Sequence, residues 1–225
     1  MSERFLTPLL NRPAKDQAPA YDEIQDDGAP VIICGFGRVG QIVGRVLQMR
    51  GIPFTALEQD PAQVEVVRRF GNKVYYGNPT RPDLLRAAGA ANAKLLVVAL
   101  SDMEQTLQVV GVARRNFPRL KIMARARNRR HAHLLMDHGV EQIVRETLHS
   151  SLKLSELVME AVGVPRDEAL RSIEIFREFD ENSLKETHAF YDDERHLIQS
   201  AQQTASELSE LLEADRRNRA RAAAE

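Results

Sequence analysis

The stretch that decides the fold is Val31-Ile32-Ile33-Cys34-Gly35-Phe36-Gly37-Arg38-Val39-Gly40, a short apolar run that meets a G-x-G-x-x-G motif. A helical pattern begins directly after the third glycine. In this strand-turn-helix context the motif predicts dinucleotide binding, because Gly35 allows a tight turn, Gly37 lets a phosphate approach the backbone, and Gly40 lets helix and strand pack closely. The helix N-terminus adds N–H groups and a positive dipole end that favour a phosphate.

A carboxylate follows the glycines at the expected distance. A second apolar strand, residues 53–57, ends in Glu58, about 20 residues past the turn, where an acid commonly holds the ribose hydroxyls. The alternative is that the glycines only shape the turn and Glu58 caps the next helix, with Pro61 in its first turn. The combined context favours a nucleotide site.

The composition is that of an ordinary soluble globular protein. The chain has 225 residues, 43% of them hydrophobic, which is ample for a core. The formal net charge of -1 gives no global field favouring nucleic acid or an anionic membrane. The single cysteine, Cys34, excludes an internal disulfide and is predicted to be buried. The sequence contains no run of 18 apolar residues, so it predicts no membrane-spanning helix.

Strand and helix patterns alternate from Pro30 to Val144, which predicts an α/β doubly wound parallel sheet of the Rossmann type. The run 94–100 is apolar throughout, as expected of a strand buried on both faces. The predicted strands are 31–34, 53–57, 73–76, 94–100, 120–125 and 142–144, and the helices between them are 38–50, 61–70, 81–88, 103–116 and 129–138.

Segments of other character flank this domain, giving a division into residues 1–29, 30–146, 147–182 and 183–225. Residues 4–13 are apolar with basic flanks and precede an acidic linker; they are interpreted either as a disordered start or as the cytoplasmic end of a transmembrane helix. Helices 147–162 and 166–180 have apolar faces that the sheet cannot fully cover, which favours a symmetric dimer. The charged tail is interpreted as solvated, or alternatively as a docked helix.

No catalytic or metal site is predicted. A dehydrogenase needs a substrate domain and a proton donor, whereas only helices follow residue 144, so an NAD-dependent oxidoreductase is a remote alternative. His131, His133 and His138 lack metal-ligand spacing. The basic segment 128–133 has no aromatic interleaving, so we interpret it as a solvated helix start and expect no nucleic-acid partner.

The landmarks together resemble the nucleotide-binding domain called RCK (its N-lobe), KTN or TrkA-N. Within that group the chain is similar to the cytosolic C-terminal domain of the glutathione-gated potassium efflux (Kef) antiporters of Gram-negative bacteria. The residues that carry the resemblance are Gly35-Phe36-Gly37-Arg38-Val39-Gly40-Gln41, Asp60-Pro61, Val74-Tyr75-Tyr76-Gly77-Asn78-Pro79-Thr80, Phe117-Pro118, Ala124-Arg125-Ala126-Arg127, Gly139-Val140-Glu141 and Arg145-Glu146-Thr147.

The resemblance implies the ligands and the residues that hold them. AMP or NAD(H) is the expected nucleotide, and glutathione or its adducts are expected at Arg38 and Arg127. Asp102 and Glu104 are the expected gating contact with the transport domain. The alternatives are that the loops 77–80 and 101–104 are ordinary turns without a ligand role, and that each arginine forms an ion pair with an acid such as Glu146. The expected nucleotide contacts are Gly35, Phe36, Gly37, Arg38, Val39, Gly40, Glu58, Gln59, Asn78, Pro79, Thr80, Ala99 and Leu100.

The resemblance also implies partners and a location. We expect an excised cytosolic domain that forms a homodimer through its C-terminal helices and regulates a transmembrane potassium:proton antiporter domain of the same full-length chain. A flavin oxidoreductase is an expected ancillary subunit, and the expected location is the cytoplasmic face of the bacterial inner membrane. The alternative from a different class is a nucleotide-sensing regulatory subunit of a potassium uptake channel without glutathione control.

Overall fold

A computed structural model of the chain describes residues 20–24, 27–69, 73–193, 195, 203, 206–214 and 217. Within them one six-stranded parallel sheet has the order β3-β2-β1-β4-β5-β6. The apolar segment 4–13, for which the sequence leaves two interpretations, and most of the tail after residue 193 lie outside the described residues. The strands are β1 (Val31–Cys34), β2 (Phe54–Glu58), β3 (Tyr75–Tyr76), β4 (Leu95–Val98), β5 (Lys121–Ala126) and β6 (Gln142–Arg145).

Helices separate the strands, and two more follow the sheet. The strand order reverses between β1 and β4, which is the switch point where open α/β sheets place ligands. The predicted doubly wound parallel sheet is confirmed. The helices are α1 (Arg38–Met49), α2 (Pro61–Arg69), α3 (Pro82–Ala87), α4 (Met103–Asn116), α5 (Arg129–Asp137), α6 (Leu148–Ala161) and α7 (Arg166–Glu186), followed by the short 3-10 helix Thr187–Phe190.

The central strand β1 is buried on both faces, as its unbroken apolar sequence predicts. The prediction that β4 is buried on both faces is correct on one face only, because Leu96 and Val98 are buried whereas Leu95 and Val97 are half-buried. Val97 lies beside Met123 in the register, and Met123 is exposed, as is Val144 farther out on β6. The face that α1 and α2 cover over β1 to β3 is therefore open over β5 and β6.

The C-terminal half of α7 packs back on the Rossmann domain. Asp180 accepts a hydrogen bond from Arg129 Nη1 at 2.6 Å and also pairs with Arg145 of β6. Farther along the helix, His133 Nε2 lies 2.9 Å from the carbonyl oxygen of Leu184. These contacts extend the helix six residues past its predicted end, and the proposed domain boundary at residue 182 falls inside it.

The interpretation of residues 128–133 as a solvated helix start is correct for Asn128 and Arg130, which are exposed at the start of α5, and wrong for the residues that follow. His131 and His133 are buried, and burial lowers the pKa of both imidazoles. Arg129 is paired with Asp180 rather than fully solvated. The sequence pattern did not reveal the contacts of Arg129 and His133 because their partners on α7 lie some 50 positions downstream.

Cys34 is buried at the end of β1, as predicted. Burial, and next the negative charge of Glu58, raise the pKa of its thiol, so the side chain is a neutral filler. In the part of the chain that the structure describes, no helix is long and apolar enough to cross a membrane. The same residues contain no group of three or more histidine, cysteine or acidic side chains placed to hold a metal ion.

Candidate functional site

The glycine turn after β1 depends on two glycines for its shape. Gly35 has a φ of +91°, and a Cβ there would lie 2.9 Å from the amide nitrogen of Leu100. A Cβ at Gly40 would lie 2.1 Å from the carbonyl oxygen of Gly35, inside any permitted contact. The first glycine therefore bends the chain against β4, and the third lets α1 pack against the turn.

Gly37 is different, because the space that its side chain would occupy is empty. A Cβ at Gly37 would meet no atom within 4 Å, and the residue has an extended backbone conformation that any residue can adopt. Gly37 is also the N-cap of α1, whose first turn has neither a side-chain cap nor an acidic residue. The first N–H groups of the helix therefore face open space, which is the arrangement that binds anions.

Glu58 lies beside this turn at the end of β2, and it is buried. Its Oε2 accepts a hydrogen bond from the N–H of Phe36 at 2.7 Å. Its Oε1 accepts from the N–H groups of Gln59 at 2.8 Å and Asp60 at 3.0 Å. Glu58 thus fixes the turn at the crevice and the loop after β2, whereas the acceptor at the start of α2 is Asp60, whose Oδ1 accepts from the N–H of Ala62 at 2.9 Å.

A cavity of about 410 Å³ opens at the carboxyl ends of β1, β2 and β4. It lies at the switch point of the sheet, where the sequence predicts the site. Eight of the predicted nucleotide or gating residues line it: Gly35, Gly37, Arg38, Glu58, Gln59, Ala99, Leu100 and Asp102.

The other predicted residues do not line this cavity. The Phe36 side chain is in the core, and only its N–H faces Glu58. Asn78 is used in a turn, because its Oδ1 accepts from Thr80 N at 3.0 Å and Thr80 Oγ1 at 2.8 Å. Thr80 and Glu104 line a separate groove of about 480 Å³ along α4. Those outside the 410 Å³ cavity are Phe36, Val39, Gly40, Asn78, Pro79, Thr80, Glu104 and Arg127.

Two polar side chains cross the crevice from opposite sides. Gln59, after β2, donates a hydrogen bond through Nε2 to Oε1 of Gln105 on α4. The motif predicts the first of these residues but not the second, because they are 46 positions apart and no local pattern connects them. Asp60, Gln63, Ser101 and Arg125 complete the lining.

The alternative prediction for Arg38 and Arg127 is an ion pair with an acid such as Glu146, but the close ion pair with Glu146 is made by Arg125. Its Nε donates to Glu146 Oε2 at 2.9 Å, and its Nη1 donates to the carbonyl oxygen of Ala99 at 3.2 Å. Arg38 Nη2 is 4.0 Å from the other oxygen of Glu146, and its side chain is 91% exposed. Among the described residues, the exposed guanidinium of Arg127 makes no ion pair, and its backbone N–H donates to His131 Nδ1.

The fold and the cavity define the class, a Rossmann-type α/β domain with a glycine-rich turn at its switch point. The family model for the TrkA-N domain matches residues 31–146, and the chain belongs to this family. A second model, the potassium efflux system KefB C-terminal domain, matches residues 150–225.

Individual relatives agree with these matches. The chain is 39% identical over 215 residues to the glutathione-regulated potassium-efflux system protein KefC of Escherichia fergusonii, covering 94% of this chain and 35% of that protein. The chain thus spans about a third of the length of that relative. It is 40% identical to the AMP-bound Kef CTD of Shewanella denitrificans, with a TM-score of 0.65 over 71% of this chain and 98% of that one. The TrkA-N domain of the inner membrane protein ybaL from Escherichia coli is 25% identical, with a TM-score of 0.52 over 57% of this chain and 96% of that one.

Proposed function

We propose that this chain is the regulatory nucleotide-binding domain of a potassium efflux system. The observation that carries the proposal is the combination of an uncapped helix N-terminus at Gly37 with the buried carboxylate of Glu58 at one crevice. The first can hold a phosphate and the second lies where ribose hydroxyls bind. AMP or NAD(H) is the proposed nucleotide, and the AMP bound by the similar Kef CTD supports this.

Regulation is proposed rather than catalysis. After β6 the described chain continues only as helices, and the similar full-length protein is by name a potassium-efflux protein. This name also favours the efflux proposal over the alternative of a potassium uptake channel. The nucleotide cavity provides an input site, and α6 and α7 provide surfaces that could change their contacts.

Glutathione or an adduct of it is the proposed second ligand, held by Arg38 and Arg127. Glutathione carries two carboxylates, and a guanidinium presents a fork of donors that suits them. Both arginines are exposed, and neither is committed to a close ion pair within the described residues. The name of the similar KefC protein, a glutathione-regulated system, supports the same assignment. Such a ligand can shift the gate only by binding one arrangement more tightly than the other.

A thermal-shift panel with AMP, NADH, NAD, ATP and glutathione tests both ligand proposals. Nucleotide at a hundred times its dissociation constant is expected to raise the unfolding temperature by about 5–10 °C. Glutathione is expected to add a separate shift that Arg127→Ala loses and Arg119→Ala keeps. Arg119 is the control because it is an exposed arginine at the opposite end of β5.

The outcomes of the panel are separable. Stabilisation by nucleotide alone would refute the glutathione proposal and leave the nucleotide proposal standing. If no nucleotide stabilises the protein, the proposed function itself is wrong.

We also propose a homodimer formed through the C-terminal helices. One face of α6 is apolar and exposed, and it has no partner within the described residues of a single chain. The open face of β5 and β6 is a second uncovered apolar surface, and α1 presents a third. The exposed apolar residues are Leu154, Leu157 and Val158 on α6 with Val162 directly after it, Met123 and Val144 on the sheet, and Ile42, Val46 and Met49 on α1. Exposed apolar surfaces of this kind mark interaction sites, and a second copy is the commonest occupant.

Replacing Leu157 by glutamate is expected to convert the dimer to a monomer, because the charge would be buried without a partner at the interface. Sedimentation or light scattering measures the mass. Leu211→Glu is the matched control, since Leu157 is 50% exposed and Leu211, on the tail, is 48% exposed. A wild-type protein that is monomeric at high concentration would contradict the proposal, as would a Leu157→Glu variant that stays dimeric.

The remaining proposals concern the full-length protein. They are a transmembrane potassium:proton antiporter domain in the same chain, a location at the cytoplasmic face of the bacterial inner membrane, and a flavin oxidoreductase as ancillary subunit. The domain division at residues 29, 146 and 182 is proposed with them; the two family matches, to residues 31–146 and 150–225, support the boundaries near 29 and 146, whereas 182 lies inside α7. A full-length reading frame without upstream transmembrane segments would refute the first two. A genome with no flavin oxidoreductase gene beside this one, or a neighbouring oxidoreductase that does not co-purify, would refute the third.

A further inference from the structure

Residues 20–24 of the linker lie against the open edge of β3, and we call them the edge strap. The backbone N–H of Asp22 donates to the carbonyl oxygen of Tyr76 at 3.0 Å, and the N–H of Tyr76 donates to the Asp22 carboxylate. Arg68 of α2 pairs with the same carboxylate and donates to the carbonyl oxygen of Val74 at 2.9 Å. The strap therefore satisfies backbone groups that the edge strand would otherwise leave to solvent.

Tyr21 extends these contacts to the start of the next helix. Its ring centroid lies 5.1 Å from that of Tyr76. The guanidinium of Arg81, the N-cap residue of α3, stands 5.4 Å from the Tyr21 ring centroid. The strap thus contacts the residues on both sides of the loop 77–80.

That loop also connects to the nucleotide cavity. The N–H of Gly77 donates to the carbonyl oxygen of Glu58 at 2.9 Å, and Glu58 lines the cavity. Asn78 and Thr80 then form the turn that follows β3 at the carboxyl edge of the sheet. Segment 76–81 is therefore held by the strap on one side and by the end of β2 on the other.

We propose that Asp22 is a positioning residue that holds segment 76–81 against the end of β2, whose Glu58 lines the nucleotide cavity, so that docking of the edge strap and nucleotide occupancy favour each other. This inference rests on the proposed function. Two events that order the same segment are coupled, and the coupling is reciprocal. The strap is the part of the chain that leads into β1, so anything attached upstream senses whether the nucleotide is bound.

The physical cost of losing Asp22 lies in its partners. Without the carboxylate, the N–H of Tyr76 and the guanidinium of Arg68 lose an acceptor that only the strap supplies. The Asp22→Asn variant would still offer an oxygen to Tyr76 but no charge to Arg68. Asp27 is a matched control on the same linker, because it pairs with Lys73, and both side chains are about 60% exposed.

Calorimetric titration with AMP on Asp22→Ala, Asp22→Asn and Asp27→Ala tests the proposal. We expect Asp22→Ala to weaken AMP binding by about fivefold or more. Asp22→Asn should recover most of the affinity, whereas Asp27→Ala should match wild type. Hydrogen exchange on the wild-type protein supplies a second readout, in which AMP slows exchange at residues 20–24 as well as at 76–81.

Equal AMP affinity in Asp22→Ala and wild type would overturn the proposal, and so would exchange at residues 20–24 that AMP leaves unchanged. If Asp22→Ala does not fold, the exchange measurement on wild type decides alone. A wild type that binds no nucleotide refutes the proposed function and this inference with it, and that result is distinct from normal binding in the variant.

Discussion

Gly37→Ala is expected to reduce the affinity for nucleotide by about tenfold or more, while the ligand-free protein stays as stable as wild type. The added methyl group meets no protein atom within 4 Å, and the backbone conformation suits any residue. A substitution of that kind changes the unfolding temperature by no more than about 2 °C. The same methyl group would stand between a phosphate and the first N–H groups of α1. Each hydrogen bond lost to a charged group costs about 1.5–3 kcal/mol, and about 1.4 kcal/mol is tenfold in affinity.

The measurement is calorimetric titration with AMP, beside thermal unfolding without ligand. Gly51→Ala is the control. Gly51, like Gly37, has no atom within 4 Å of its Cβ position, but unlike Gly37 it has a positive φ, of +67°. That control is expected to lose some stability through backbone strain and to keep its AMP affinity. Undiminished AMP affinity in Gly37→Ala would place the phosphate elsewhere and remove the main support for the proposed site.

The sequence predicts the parts of the fold that depend on local patterns. The bounds of β1 and α4 are predicted to the residue, and α1 begins where the motif places it. These elements have clear signals, namely an unbroken apolar run, a glycine turn, and Asp102 as an N-cap that accepts from Gln105 N. Glu58 follows the same logic, because its spacing from the turn is set by one strand and one helix.

Contacts between distant segments could not be predicted in this way. Gln105 reaches Gln59 across the crevice, and Arg125 rather than Arg127 occupies Glu146. Alternation along a strand places both arginines on one side but does not say which one finds the acid. The extension of α7 has the same cause, since the contacts of Asp180 and Leu184 with α5 hold the additional turns.

The edge strap shows most clearly how composition can mislead. By composition, residues 14–28 form a polar, acidic linker, and acidity is a usual mark of solvated chain. The charge of Asp22 instead serves a specific acceptor role at Tyr76 and Arg68. Its partners are 54 and 46 positions away, so the role of this carboxylate can be seen only in the folded sheet edge and not in the sequence.

Gly40→Ala is expected to destabilise the protein by about 3 kcal/mol, which lowers the unfolding temperature by about 6–12 °C. Its Cβ would lie 2.1 Å from the carbonyl oxygen of Gly35 and 3.4 Å from the Ile33 side chain. The nearest atom is backbone, so it cannot rotate away, and α1 must move off the turn. That movement also displaces the helix N-terminus, so AMP affinity should fall with stability rather than independently of it.

Gly111→Ala is expected to change the stability in the opposite direction to Gly40→Ala. It is the control for a glycine-to-alanine change inside a helix. Gly111 lies in α4, and the nearest atom to its Cβ position is the mobile end of Arg115 at 3.4 Å. Removing a helical glycine there is expected to raise stability by about 0.5–1 kcal/mol. Calorimetry on the two variants therefore separates packing at the turn from helix propensity. Equal stability changes in both would show that α1 does not pack on Gly35 as described, and that Gly40 is not what brings the helix N-terminus to the crevice.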